Sequence, residues 1–171
     1  MNTERFFIAD PYNDEHIRLI TDFEETKGIT TVTSTLLKNI RQTQNEEEYK
    51  EEARESNEIH QSLFLQLEDK ITDTCHVQAE KDMKSCRIFF APIKTEHKNR
   101  KLVSLATDYA FDVLGMNDVF VTVTLDENDR NLIENLEERG FENLGEDEGS
   151  ITYLKEKEII NETKKGNVIA T

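Results

Sequence analysis

The sequence is poor in cysteine, proline and tryptophan. Its 171 residues include two cysteines, two prolines and no tryptophan. Cys75 and Cys86 lack CxxC spacing, which excludes a disulfide framework and is typical of a cytoplasmic protein with free thiols. No apolar run approaches the ~20 residues of a transmembrane helix. The first residues also lack the charged-then-apolar pattern of a signal peptide. The sequence therefore predicts a cytoplasmic protein.

Positive charge is scarce as well. Asp and Glu number 36 against 21 Lys and Arg, so the formal net charge is -15. Such an excess argues against nucleic acid as a partner, because Lys and Arg contacts to phosphate dominate that binding. It argues equally against docking on anionic membranes. An acidic, soluble protein is the simplest interpretation, and a cationic substrate also suits this charge.

Glycine is rare and unevenly placed. Of six glycines, none lies between Gly28 and Gly115. The chain shows neither an internal repeat nor a Pro/Gly-rich linker, which predicts one domain over residues 1–155. Residues 156–171 are polar and predict a C-terminal tail.

Hydrophobic spacing predicts the elements of the first half. Residues 6–9 form a short apolar strand. A helix follows from a cap at Asn13 to Gly28. Leu36, Leu37 and Ile40 begin a second helix, which continues into the charged segment 46–55, either as an exposed helical face or as a loop. Three strands follow as an antiparallel meander; they cover residues 59–67, 71–79 and 86–93.

The second half predicts a crossover unit. A helical period runs from Glu96 to Val113 and ends at Gly115. A Val-rich buried strand follows at 118–125, so it should lie parallel to the strand at 86–93. Another helix and a last strand pair around an acidic turn complete the order β-α-α-β-β-β-α-β-α-β-β. The predicted fold class is mixed α/β, with a mostly antiparallel sheet flanked by helices.

Several short stretches resemble the GNAT superfamily of N-acetyltransferases. The resemblance is clearest over residues 86–155, and the element order extends it to about residue 5. The stretches that carry it are Tyr109-Ala110-Phe111 to Leu114-Gly115, the strand Val119 to Val123, Asp126 to Arg130, Leu136-Glu137 and Gly140-Phe141-Glu142.

The resemblance implies acetyl-CoA as co-substrate, bound where two strands splay apart. Main-chain groups of Phe89, Phe90 and Ala91 would orient the pantetheine arm. Asn128 would lie near the CoA arm by similarity to the family's Asn. The pyrophosphate would sit at the start of the helix after the first strand, where free N–H groups and the helix dipole favour anions.

The loop before that helix departs from the family pattern. The family's glycine positions fall on His97 or Lys98 and on Asn99, and Asn99 tolerates left-handed backbone angles. Four cations and one acid lie within residues 94–101. One hypothesis is that basic side chains replace the glycine loop in holding phosphates. The alternative is a solvated helix end with chance charges. The predicted phosphate-side residues are Lys94, Lys98, Asn99, Arg100 and Lys101.

No catalytic residue can be assigned by similarity. The position of the family's Tyr general acid holds Leu136, and Ser85, Cys86 and Arg87 lie where some members carry a Glu base. His76, Glu80 and Tyr153 remain as candidates, although each is more simply structural or solvated. The four His residues lack ligand spacing, so no metal site is predicted.

The resemblance implies transfer of an acetyl group from acetyl-CoA to a primary amine of a small molecule or a protein. A cationic acceptor would suit the acids in the regions that usually build the acceptor side of this fold. The alternative is a non-catalytic member of the fold that acts as a binding or regulatory module. Homodimers are common for this fold, but no segment of the sequence indicates one. The acids in question are Asp22, Glu24, Glu25, Glu146, Asp147 and Glu148.

Overall fold

The computed structural model describes residues 3–29, 32–92, 99–125 and 130–158. Seven strands form one sheet in the order β1-β2-β3-β4-β5-β7-β6. Helices flank both faces of this sheet. The elements are β1 (Arg5–Ile8), α1 (Asp14–Lys27), α2 (Val32–Thr43), α3 (Glu46–Glu55), β2 (Glu58–Leu67), β3 (Lys70–Glu80), β4 (Ser85–Phe90), α4 (Lys101–Asp108), β5 (Asp118–Thr124), α5 (Arg130–Glu138), β6 (Glu142–Asp147) and β7 (Ser150–Glu156).

The caps read from the sequence set the ends of α1. The Asn13 side chain accepts hydrogen bonds from the main-chain N–H groups of Glu15 and His16, which satisfies two free donors of the first turn. Gly28 ends the helix with φ 69°, a left-handed conformation that glycine adopts without strain. Both predicted ends are confirmed.

The second predicted helix is divided in two. Asn45 interrupts it and starts α3 through a reciprocal capping box with Glu48. None of the ten residues of α3, all of them described, is buried. Segment 46–55 is therefore an exposed helix, which decides between the two alternatives that the sequence left open.

The predicted meander and crossover are confirmed. β2, β3 and β4 are antiparallel neighbours. Helix α4 continues as a π-helical turn over Tyr109–Val113 and leads to β5, which is parallel to β4. Gly115, just beyond, has φ 73°.

Two apolar clusters hold the helices on the sheet. One face, here called the α4 face, packs against α4 and α5, and the opposite α1 face packs against α1 and α2. Among the described residues, the α1-face cluster takes its strand residues from β1, β2 and β3, and Ala91, just after β4, packs against it. The α4-face cluster includes Leu63, Val77, Ile88, Leu102, Val121 and Leu136. The α1-face cluster includes Leu19, Ile20, Phe23, Leu37 and Phe64.

The end of the described chain lies close to the predicted domain boundary. Strand β7 ends at Glu156, one residue into the predicted tail, and residues 159–171 lie outside the described part. None of the described helices is long and apolar enough to cross a membrane.

Candidate functional site

The parallel strands β4 and β5 diverge part-way along their length. Within the described residues they pair at three positions, the last of which joins Arg87 to Phe120. β4 nevertheless remains paired with β3 as far as Phe90, and β5 remains paired with β7 as far as Thr124. The strands therefore open into a cleft, here called the β4–β5 gap, bounded by residues 88–90 and 121–124.

The main chain presents hydrogen-bonding groups to this gap. The Ala91 N–H donates to Thr74 O at 3.0 Å, so Ala91 faces β3. Because the direction of N–H and C=O alternates along a strand, the groups of Ile88 and Phe90 face the gap. On β5, the Leu125 N–H donates to Gly149 O at 2.8 Å, which turns the groups of Thr122 and Thr124 to the gap by the same alternation.

Of the three residues predicted to orient pantetheine, this geometry turns the main-chain groups of only one toward the gap. The main chain of Phe90 faces the gap. The main chain of Phe89 faces β3, where it pairs with His76, and the Ala91 N–H is already bonded to Thr74. Ile88 faces the gap and was missed, because the hydrophobic pattern locates a strand without revealing which main-chain edge is free.

Helix α4 begins beside the end of β4. An Arg100 Nη2 donates to Ala91 O at 3.2 Å, which ties the helix start to the last residues before the loop. The cap residue Arg100 makes no side-chain cap bond, and its own N–H donates to Asn135 Oδ1 of α5 at 3.0 Å. The positive end of the α4 dipole therefore lies next to the mouth of the gap.

A buried ion pair supports this junction. The Arg100 guanidinium binds Asp73 of β3 in a bidentate manner, with Nε–Oδ2 at 3.0 Å and Nη2–Oδ1 at 2.6 Å. The two side chains are 3% and 6% exposed, and the guanidinium lies over the Phe90 ring at 5.7 Å. Burial raises the pKa of Asp73, and the Arg100 charge opposes that rise.

The ion pair gives Arg100 a different place from the predicted one. Sequence reasoning assigned its guanidinium to phosphate, whereas the structure buries it against Asp73. Asp73 itself was missed, since a single acid within a strand carries no local signal. Of the other predicted phosphate-side residues, Lys101 is the first residue of α4, and its 61% exposed side chain lies 3.8 Å from Glu4 Oε1.

The remaining predicted contacts are distributed as follows. Asn99 Oδ1 accepts a hydrogen bond from Arg139 Nη2 at 2.9 Å, on the exposed side of the α4–α5 junction. Lys94, Lys98 and Asn128 lie outside the described residues.

The position of the family's Tyr and one acid–base candidate, Tyr153, are buried on the α4 face. Leu136, at the position of the family's Tyr, is fully buried. The Tyr153 hydroxyl donates to Glu137 Oε2 at 3.3 Å. Burial and the Glu137 carboxylate both raise the pKa of Tyr153. Tyr153 therefore serves the packing of α5 against β7.

The acids predicted to face an acceptor have separate local roles. The buried Glu24 carboxylate accepts hydrogen bonds from the N–H groups of Thr33 and Ser34, at 3.1 and 3.2 Å, and so caps the start of α2. Asp22 pairs with Arg18 at 3.2 Å on the surface. The other four acids of this predicted set, Glu25, Glu146, Asp147 and Glu148, are exposed.

The two cysteines should be inert in the native protein. Burial raises the pKa of Cys86 to about 12 and that of Cys75 well above its ordinary value. Because the thiolate is the reactive form, we expect no modification by iodoacetamide at mildly alkaline pH, and modification of both thiols in denaturant. Mass spectrometry would detect it. Rapid labelling of either thiol in the folded protein would contradict the buried placement.

A mixed sheet whose parallel pair splays apart ahead of a crossover helix is the arrangement that the resemblance predicted. Comparison with solved structures confirms it: the chain has the fold of the GNAT N-acetyltransferases. No protein-family model matches the sequence. Comparison with curated proteins likewise gives no significant match. The likeness therefore rests on structure.

Three solved structures illustrate it. Ribosomal-protein-S5-alanine acetyltransferase from Vibrio fischeri has a TM-score of 0.69 at 10% identity, covering 94% of this chain and 99% of its own. N-acetyltransferase PseH from Campylobacter jejuni, in complex with acetyl coenzyme A, has a TM-score of 0.58 at 16% identity, covering 91% and 100%. The dodecameric spermidine N-acetyltransferase from Vibrio cholerae has a TM-score of 0.59 at 14% identity, covering 95% of each chain.

Proposed function

We propose that the protein is an N-acetyltransferase that moves an acetyl group from acetyl-CoA to a primary amine. The observation that carries the proposal is the β4–β5 gap, in which two diverging strands present main-chain donors and acceptors to the same space. The solved structures of similar fold support it, because they are N-acetyltransferases and one was determined with acetyl coenzyme A. Acetyl-CoA would supply the activated acetyl group as a thioester.

The residues around the gap fit such a co-substrate. The main-chain groups of Ile88 and Phe90 would bond the amides of the pantetheine arm as a neighbouring strand would. The start of α4, with Lys101 as its first residue, would face the pyrophosphate. In this proposal Lys94 and Lys98 add charge on the same side and Asn128 lies near the CoA arm. Arg100 would stabilise the site through its hydrogen bonds to Asp73 of β3 and to Ala91, just after β4.

The acceptor would approach on the α1 face. Helices α4 and α5 cover the gap on the opposite side, whereas Phe89 is 43% exposed and Thr122 is half-buried on this one. The net charge of -15 favours a cationic amine over an anionic acceptor. One solved neighbour is a spermidine N-acetyltransferase, which acts on such an amine.

Calorimetric titration with acetyl-CoA is the direct test. We expect micromolar binding by the full chain. With spermidine and a peptide bearing an N-terminal alanine as amine probes, we expect release of free CoA thiol with at least one. Failure to bind acetyl-CoA at millimolar concentration would refute the proposal.

Removing one charge at the start of α4 should weaken binding in a salt-dependent way. Lys101→Ala is expected to lower acetyl-CoA affinity several-fold at low salt, with a smaller loss at higher salt, because screening weakens the charge–phosphate attraction. Lys38→Ala, which removes an exposed charge from α2, is the matched control and should leave affinity unchanged. Equal acetyl-CoA affinities for the two variants would show that Lys101 does not contact the phosphates.

The alternative is a non-catalytic binding module that uses the same gap. The buried Leu136 at the position of the family's Tyr favours it, since leucine cannot deliver a proton. Binding of acetyl-CoA without thiol release in the presence of either amine probe would favour this module over the enzyme.

A further inference from the structure

A row of side chains, polar except for Phe89, crosses the α1 face beside the gap. The strand registers place Ser62 of β2, His76 of β3 and Phe89 of β4 side by side. Thr122 of β5 lies across the gap, and its register partner on β7 is Thr152. His76 is the titratable side chain of this row, and one strand separates it from the gap.

His76 is held by hydrogen bonding and ring contacts on its β2 side. Its Nδ1 lies 3.3 Å from Ser62 Oγ. The His60 ring lies 5.8 Å from the His76 ring, centroid to centroid, at an interplanar angle of 30°. His60 Nε2 in turn lies 3.0 Å from Glu58 Oε1. His60 and Glu58 therefore lie beside His76 on the side away from the gap.

This cluster of His76, His60 and Glu58 borders a groove that is open to solvent. The groove has a volume of about 890 Å³ and lies between the α2–α3 hairpin and the first residues of β2. His60 is 46% exposed in its side chain. The lining includes Tyr49, Glu52, Glu58, Ile59, His60 and Lys81. The His60 end of this cluster thus meets bulk water on the side away from the gap.

We propose that His76 is the proton acceptor for the amine in acetyl transfer, and that His60 and Glu58 carry its proton to the groove. The assignment rests on the proposed function. It supplies the base that similarity to the family could not identify, from a strand next to the one where some members carry a Glu.

The transfer balances with these groups. The amine nitrogen gives one proton to His76 and forms a bond to the acetyl carbon. The C–S bond breaks with its electron pair going to sulfur, and the leaving thiolate takes a proton from water. The proposed step uses the tautomer in which Nδ1–H donates to Ser62 Oγ, so that the lone pair of His76 lies on Nε2, which accepts the proton. His76 returns it to solvent through His60, and the products are an N-acetyl amine and CoA thiol.

The surroundings keep His76 ready to accept a proton. Burial, followed by the neighbouring His60, lowers the pKa of His76 below its ordinary value, so the imidazole is neutral at neutral pH. The charged groups on this face nearest in the strand register are His60 and Glu58 on β2, Glu80 on β3 and Arg87 on β4. Glu52 and Lys81 line the groove beyond His60.

The test compares His76→Gln with His60→Gln in the full chain, with spermidine as the amine and thiol release as the readout. We expect His76→Gln to lower kcat by about 100-fold, the lower end of what general-base catalysis contributes. The acetyl-CoA dissociation constant should stay within about twofold of wild type. As pH falls below 6.5, the wild-type rate should drop more steeply than the His76→Gln rate, because protonation of the amine slows both and protonation of the imidazole slows wild type alone. His60→Gln should lower kcat by a smaller factor than His76→Gln and keep the steeper fall, with its midpoint moved upward, because His60 no longer lowers the pKa of His76.

Other results separate the possible failures. Unchanged kcat and pH dependence in His76→Gln would overturn the assignment while leaving the proposed function standing. An equal loss in both variants would overturn it as well, because the effect would then belong to the pair. If wild-type protein does not bind acetyl-CoA, the proposed function fails and the assignment fails with it. If His76→Gln is unstable, His76→Asn provides the same comparison.

Discussion

Replacing Asp73 with alanine should lower the free energy of unfolding by about 3–5 kcal/mol. The substitution leaves the Arg100 guanidinium buried without its carboxylate, and a buried charge without a partner is costly. Urea unfolding monitored by circular dichroism would measure the change. Because Arg100 also contacts Ala91 and the Phe90 ring, acetyl-CoA binding should weaken in the fraction that remains folded.

Two further variants distinguish a buried charge from lost packing. The double variant Asp73→Leu with Arg100→Met removes both charges at similar volume and should recover most of the loss, since the cost lies in an unpaired charge. Asp22→Ala breaks the exposed pair with Arg18 and should cost less than about 1 kcal/mol. A double variant as unstable as Asp73→Ala would show that packing, and not charge, dominates at this junction.

Phe90→Pro should reduce acetyl-CoA affinity by about 10-fold relative to Phe90→Ala, equivalent to about 1.4 kcal/mol. Both substitutions remove the ring that lies under Arg100, but only proline removes the N–H that faces the gap. Because that N–H is directed away from β3, proline at this position removes no hydrogen bond between β3 and β4. Calorimetric titration of the two variants isolates the contribution of one main-chain group.

The same pair of variants must be compared for stability. Equal unfolding midpoints would confirm that proline is accommodated at the end of β4, where the backbone is already extended. Equal acetyl-CoA affinities would mean that the Phe90 N–H is not part of the binding site. A control at Ala91 gives the opposite pattern: Ala91→Pro removes the bond to Thr74 and should reduce stability.

Local physical chemistry made much of the fold predictable. Asn13 and Gly28 mark the ends of α1 because capping and left-handed backbone angles depend on single residues. The alternation in the second half of β3 reflects burial of one face of the sheet, whereas the middle of β2 is buried on both faces. Hydrophobic spacing could not predict the break between α2 and α3. Helix α3 has no buried residue, and its start depends on a capping box at Asn45.

The site was less predictable because it depends on register. That β4 separates from β5 beyond Arg87 follows from pairings between residues far apart in the sequence, so the gap-facing group of Ile88 could not be identified. The basic cluster lies at the start of α4, but composition could not show that Arg100 turns inward to Asp73. His76 and its partners come together only when β2 and β3 are placed in register.

The groove beside His60 has a consequence for the exposed edge of β2. β1 pairs with β2 only from Leu63 to Gln66, so among the described strands none covers the outer edge of β2 at residues 58–61. An open strand edge is a template for another chain. The exposed, acid-rich α3 lies across the groove from that edge, and Lys81 Nζ donates to the carbonyls of Ala53 and Arg54 near its end. A helix that adds nothing to the core thereby shields the edge by bulk and like-charge repulsion.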